Sequence, residues 1–161
     1  MARKSRVINE NEKKETVKVF VWKIGIYIRL SKEDLRNNDE SESVTNQRKI
    51  NLEFVEEKFA DEKYIIYGIY IDDGRSGTTE DTRPDFQRLS KDIREGNVNC
   101  VVCKTLARAF RNYADQGKFL EQYLPTYGCR FIAFGNPYVD TFANPDCMQN
   151  MEIPINGLMN D

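Results

Sequence analysis

Apolar and polar positions fall along the chain in blocks, and each block has the length and period of one element. Ile24-Gly-Ile-Tyr-Ile-Arg-Leu places isoleucine at alternate positions, and the polar run Ser31-Lys-Glu-Asp stops it. That pattern predicts a strand over Val21–Leu30. Ile50, Phe54, Val55 and Phe59 recur at helical spacing and predict a helix from an N-cap at Ser43 to Ala60. Tyr64–Ile71 is an apolar, β-rich strand, followed by turn chemistry from Asp72 to Thr82. Arg83-Pro84 opens a second helix, with Phe86, Leu89 and Ile93 inward and Gly96 at its end. Val98–Cys103 reads as a third strand, and Lys104–Arg111 as a basic segment. Asn112 caps a third helix reaching Tyr127, with Phe119, Leu120, Tyr123 and Leu124 inward and Pro125 distorting its last turn. Arg130–Phe134 is a fourth strand. An irregular stretch with Pro137, Asn144 and Pro145 comes next, and Met148–Asp161 resembles the start of a further helix.

Strands alternating with helices predict an α/β domain with a mostly parallel central sheet of about four to five strands, flanked by helices and joined by right-handed crossovers. In such sheets ligands sit outside the carboxyl ends of the strands. Those ends carry Arg29 and Ser31, then Asp73 and Ser76, then Lys104 and Arg108, so the polar residues converge on one edge.

Composition narrows the chemistry. With no histidine among 161 residues, Ser-His-Asp and Cys-His mechanisms are excluded. Cys100 and Cys103 have the Cys-x-x-Cys spacing, but in a buried strand positions three apart face opposite ways, so they read as core thiols rather than a metal pair. No apolar run reaches the roughly 20 residues that cross a bilayer, and the N-terminus has no signal-type apolar segment, which points to a cytosolic protein. Residues 1–20 hold six Lys/Arg against three Asp/Glu and read as a flexible N-terminal arm. The other 18 of 24 basic and 23 of 26 acidic residues leave 21–161 at net −5. Such a domain binds nucleic acid only through a local basic cluster or through other segments.

That cluster exists. Arg29 and Ser31 share a strand face, two residues apart. Arg108 and Arg111 are three apart, on one side of a helical turn, and with Lys104 make three positive charges without an acid. Arg83 follows a Gly/Thr-rich loop that can bring it to an anion. Guanidinium forks match phosphate oxygens, and a serine hydroxyl can attack phosphorus, so four arginines near one serine point to phosphoryl transfer. Gln47 and Asp73 are placed to orient the arginines or accept a proton. A phospho-receiver domain fits less well, because the Asp72/Asp73 pair follows the second strand and no acid follows the third.

Tyr27-Ile-Arg-Leu-Ser31, Ser43-Val-Thr-Asn-Gln47-Arg, Tyr70-Ile-Asp-Asp73-Gly-Arg-Ser76-Gly-Thr, Thr82-Arg83-Pro84-Asp-Phe-Gln-Arg-Leu and Leu106-Ala-Arg108-Ala-Phe-Arg111-Asn occur in this order. Together they resemble the catalytic domain of serine site-specific recombinases, most of all the large, transposase-type members, over about residues 21–161. The resemblance implies that Ser31 is the nucleophile and that Arg29, Arg83, Arg108 and Arg111 hold the scissile phosphate of double-stranded DNA, with Lys104 beside them. It implies further site positions at Gln47, Asp73 and Ser76, a dimer and a synaptic tetramer as working assemblies, and no nucleotide or metal cofactor. Where many members carry an acid before the first arginine of the Arg-x-x-Arg pair, this chain has Ala107. The family's long dimerisation helix is expected to begin near residue 151, which makes this chain a catalytic domain cut at that helix and weak on DNA by itself. A catalytically silent interaction module with the same fold is the alternative.

Overall fold

The computed structural model describes residues 19–30, 40–72, 83–110 and 112–149. Within them lie strand β1 (Trp22–Arg29), helix α1 (Glu40–Lys58), β2 (Tyr64–Asp72), α2 (Pro84–Arg94), β3 (Cys100–Cys103), a short α3 (Leu106–Ala109), α4 (Tyr113–Gly117), a π-helical turn (Lys118–Tyr123), α5 (Leu124–Thr126), β4 (Arg130–Ala133), β5 (Val139–Asp140) and a 3-10 turn (Pro145–Gln149). The sheet order is β2-β1-β3-β4-β5. The first four strands are parallel, and β5 runs antiparallel to β4, as Ile132 pairs with Asp140.

Strand alternation sorts the core into two layers. Ile24, Ile26, Ile28, Cys100, Val102 and Ile132 face α1 and meet Val55 and Phe59. Tyr27, Val101, Cys103 and Phe131 face the other way, toward Leu89 and Ile93 of α2 and Phe119, Leu120 and Leu124. Cys100 and Cys103 thus lie in opposite layers, as their spacing predicts, and all four cysteines are free and buried. Burial pushes the Cys129 thiol up to about 12, so it is a protonated core side chain at neutral pH.

Several boundaries differ from the sequence reading. Helix α1 is already formed at Glu40, so Ser43 lies inside it and is not its N-cap. The helix expected over Asn112–Tyr127 is broken into three pieces. Asn112 does cap it, its Oδ1 accepting from Asp115 N at 2.8 Å. Pro125 has no N–H to give Glu121 and its ring crowds that carbonyl, and the turn just before it widens to a π-helix, with Leu124 N bonded to Phe119 O. β5 falls in the stretch read as irregular. It is two residues long, right after Pro137 and Tyr138, too short to show a period.

The N-terminal arm, Ser31, Asp73, Ser76, Arg111 and the expected start of a dimerisation helix near 151 lie outside the described residues. Among the described residues no helix is long and apolar enough to cross a membrane.

Candidate active site

The first connection leaves β1 for β2 on one side, and the next returns to β3 on the other, so the chain's switch point lies between the carboxyl ends of β1 and β3. Open α/β sheets bind ligands at that place. A small cleft opens there, lined by Ile28 and Arg29 of β1, Gln47 and Asn51 of α1, and Lys104 and Arg108 after β3. The structure thus brings together four residues singled out from sequence: Arg29, Gln47, Lys104 and Arg108.

Backbone chemistry fixes them. β3 ends at Cys103, and Thr105 caps the one-turn α3 with its Oγ1, which accepts from Arg108 N at 3.3 Å. A four-residue helix leaves its carbonyls without partners in the helix. Arginines supply them. Arg29 Nη2 donates to Ala107 O at 2.9 Å, Arg83 Nη2 donates to Ala109 O, and Arg108 Nη1 returns a bond to Arg29 O at 3.3 Å. Cations at a helix C-terminus also meet its negative dipole end.

Arg83 is buried, which differs from a loop arginine free to swing. Its Nε and Nη2 donate to Tyr27 Oη at 3.1 and 2.8 Å, and its guanidinium lies 4.0 Å from the Phe86 ring centroid. The Tyr27 hydroxyl donates in turn to Asp72 Oδ2 at 2.9 Å. Burial lifts the Tyr27 phenol well above its ordinary range. The Arg83 guanidinium pulls against that and the Asp72 carboxylate reinforces it, so the phenol stays neutral and donates. Arg83 reaches Ala109 of α3 and the Tyr27 hydroxyl, and Tyr27 lines the cleft, but Arg83 does not line the cleft itself.

Asp72, read from sequence as a turn acid, is the buried last residue of β2. Its carboxylate accepts the backbone N–H groups of Asp85 and Phe86 at 3.0 and 2.9 Å. In exchange, Asp85 Oδ2 accepts from Ile71 N at 2.7 Å. The signal was present: α2 starts at Arg83-Pro84 without a Ser, Thr, Asp or Asn cap, so its N–H groups need an acceptor from elsewhere. Asn51 also escaped the sequence reading. Its Nδ2 donates to Gln47 O at 2.8 Å, and its buried Oδ1 has no partner among the described residues.

Residues 24–152 match the family model described as "Resolvase, N terminal domain". No curated protein matches the chain. Three solved structures are similar to it. The N-terminal catalytic domain of TP901-1 integrase shares 24% identity over 83% of this chain and 93% of its own, with a TM-score of 0.65. A resolvase family site-specific recombinase from Streptococcus pneumoniae shares 28% over 76% and 78%, with a TM-score of 0.59. The C-terminal catalytic domain of ISC1926 TnpA, an IS607-like serine recombinase, shares 18% over 71% and 70%, with a TM-score of 0.54. A parallel sheet with its arginines gathered at the switch point, and a family match across most of the chain, lead to one assignment: this protein belongs to the resolvase family of site-specific recombinases.

Proposed function

We propose that this domain cuts and rejoins double-stranded DNA through Ser31. The Ser31 hydroxyl gives up its proton, Oγ attacks the scissile phosphorus, an Oγ–P bond forms and the P–O3′ bond breaks. The released 3′ oxygen takes up a proton, and the 5′ phosphate stays on the protein as a phosphoserine. Religation reverses each step with a 3′-hydroxyl from the exchanged strand, so phosphodiester energy is conserved and no nucleotide cofactor is consumed.

The observation that supports this reading is the cleft at the ends of β1 and β3, where Arg29, Lys104 and Arg108 meet beside Gln47. Ser31 follows Arg29, the last residue of β1, by two positions in the sequence. Fixed positive charge stabilises the crowded, charged transition state, and each preorganised donor is worth about 2.7–4 kcal/mol. Arg83 and Arg111 complete the proposed phosphate-binding set. Asp73 and Ser76 are assigned to the site on their place in the sequence and on the family pattern. Ala107 brings no proton-transfer group; its contribution is a carbonyl that holds Arg29.

Strand exchange requires paired sites, so the proposed working assembly is a dimer on each site and a tetramer at synapsis. The test is a nicked duplex of the recombination site, incubated with the protein in its gene-encoded length. A protein-linked 5′ end beside a free 3′-hydroxyl supports the reading. DNA that is bound but never cut by the wild type supports a silent interaction module instead.

A further inference from the structure

A second cavity of about 220 Å³ lies against α2 and the π-helical turn, and it shares no lining residue with the cleft. Its wall is a continuous set of aromatic rings. Phe119 stands 5.0 Å from Phe86, 5.5 Å from Phe110 and 5.3 Å from Tyr123, centroid to centroid. Arg83 lines this mostly apolar space as well. Arg83 is only 9% exposed, and its Nε and Nη2 are committed to Tyr27 and Ala109. Its Nη1 makes no hydrogen bond, and no carboxylate comes within ion-pair distance of it, among the described residues. The Tyr27 phenol stands between Arg83 and the nearest acid of the network, Asp72.

Arg83 is largely buried, but its Nη1 keeps some solvent contact, so an anion can reach it, and a largely buried cation without a direct counterion favours one. The walls add a second requirement. A cavity of about 150 Å³ lined by apolar side chains takes benzene, and aromatic walls favour a ring held edge-to-face or offset. Asp115 and Lys118, both exposed, also line the cavity and bring one negative and one positive charge to it.

We propose that this cavity binds a small aromatic monoanion, its ring against Phe119 and Phe86 and its carboxylate on Arg83 Nη1. Such a ligand takes the remaining donors of an arginine whose partner Tyr27 lines the cleft. The binding is read without DNA, but it uses the same Arg83 donors that the proposed phosphate-binding set would offer, so such a ligand would compete with the scissile phosphate there.

The experiment is a titration of the ¹⁵N-labelled protein with 1-naphthoate, 1-naphthamide, acetate and inorganic phosphate, followed by NMR. Saturable shifts are expected from 1-naphthoate at the Arg83 side-chain N–H and at the backbone amides of Phe86 and Lys118–Tyr123. Affinity should exceed that of 1-naphthamide by about tenfold, the ratio one charge-assisted hydrogen bond supplies. Acetate and phosphate lack the ring and should not saturate the same signals. Arg83→Gln, with its fold checked by the dispersion of its own spectrum, should bring the two naphthyl ligands to equal affinity. Four wild-type results overturn the proposal: no saturable shift, shifts elsewhere, an equal response to the amide, or an equal response to the bare anions.

Discussion

Arg29 and Arg108 hold each other's segments. Arg29 donates from Nη2 to the carbonyl of Ala107, and Arg108 donates from Nη1 to the carbonyl of Arg29, at 2.9 and 3.3 Å. The two guanidinium groups, like-charged and half-buried, are kept side by side by backbone acceptors. The carboxyl end of β1 and the short α3 therefore present charge to the cleft as one unit.

Arg108→Ala removes one of those bonds and one positive charge. Cleavage should fall by about 10²–10³-fold, as for loss of a single transition-state donor. The far-UV circular dichroism spectrum should be retained, because α3 keeps its Thr105 cap and the Arg29 and Arg83 contacts. Unfolding of the variant would assign Arg108 a structural role instead.

Tyr27→Phe tests the chain of contacts behind Arg83. The change removes a hydroxyl that accepts twice from Arg83 and donates to Asp72. Buried partners lose bonds without gaining water, so the expected cost is about 1–3 kcal/mol in chemical denaturation. Cleavage should fall as well, because Arg83 keeps its charge and loses its orientation. A stable variant with full activity would remove Arg83 from the site.

Gly135→Ala tests how closely the segment after β4 packs against Lys104 and the cap of α3. A Cβ there meets Thr105 Cγ2 at 2.6 Å and the Lys104 carbonyl at 2.7 Å. Neither can yield without moving the cap of α3 or Lys104, the residue that follows β3. The expected loss is about 1–3 kcal/mol of stability, together with reduced cleavage through the shifted Lys104 and Arg108. Calorimetry of the variant beside the nicked-site assay checks both.

Much of this was legible from sequence, for reasons that differ by element. β1, β2 and β3 are apolar runs bounded by polar residues, and α2 carries a clear 3–4 repeat between Pro84 and Gly96, where φ is +75°. The gathering of Arg29, Lys104 and Arg108 followed from strands alternating with helices, because parallel strands put their carboxyl ends on one edge. What escaped were residues whose role depends on a partner far along the chain. Asp72 caps a helix that begins 12 residues later, Tyr27 links that acid to Arg83, and Arg130 finds Asp140 through β5, a strand too short to see.

That last pair gives a pH prediction at the opposite end of the sheet from the cleft. Arg130 donates from Nε and Nη2 to Asp140 at 2.9 and 2.7 Å, under the rings of Trp22, Phe59 and Phe142. Burial by itself raises the Asp140 pKa. The bonds from Arg130 and from the Ala143 and Phe142 N–H groups outweigh it and hold the carboxyl below its ordinary value of 3.8. A lowered folded pKa contributes stability that is present above the ordinary value and lost as pH falls below it. Asp140→Asn strands the buried Arg130 charge, so it should cost about 3–5 kcal/mol at neutral pH. The gap from wild type should shrink as pH falls below about 3.8, read from urea unfolding at a series of pH values. A gap that stays constant would mean the pair does not titrate as described.

The central claim is that one serine becomes covalently joined to DNA, and peptide mapping of the trapped complex tests it most directly. After reaction with a nicked recombination site and digestion of protein and DNA, mass spectrometry should find a nucleotide 5′ phosphate on Ser31, absent from Ser31→Ala. A phosphodiester on any other residue, or an adduct that survives Ser31→Ala, would contradict the account.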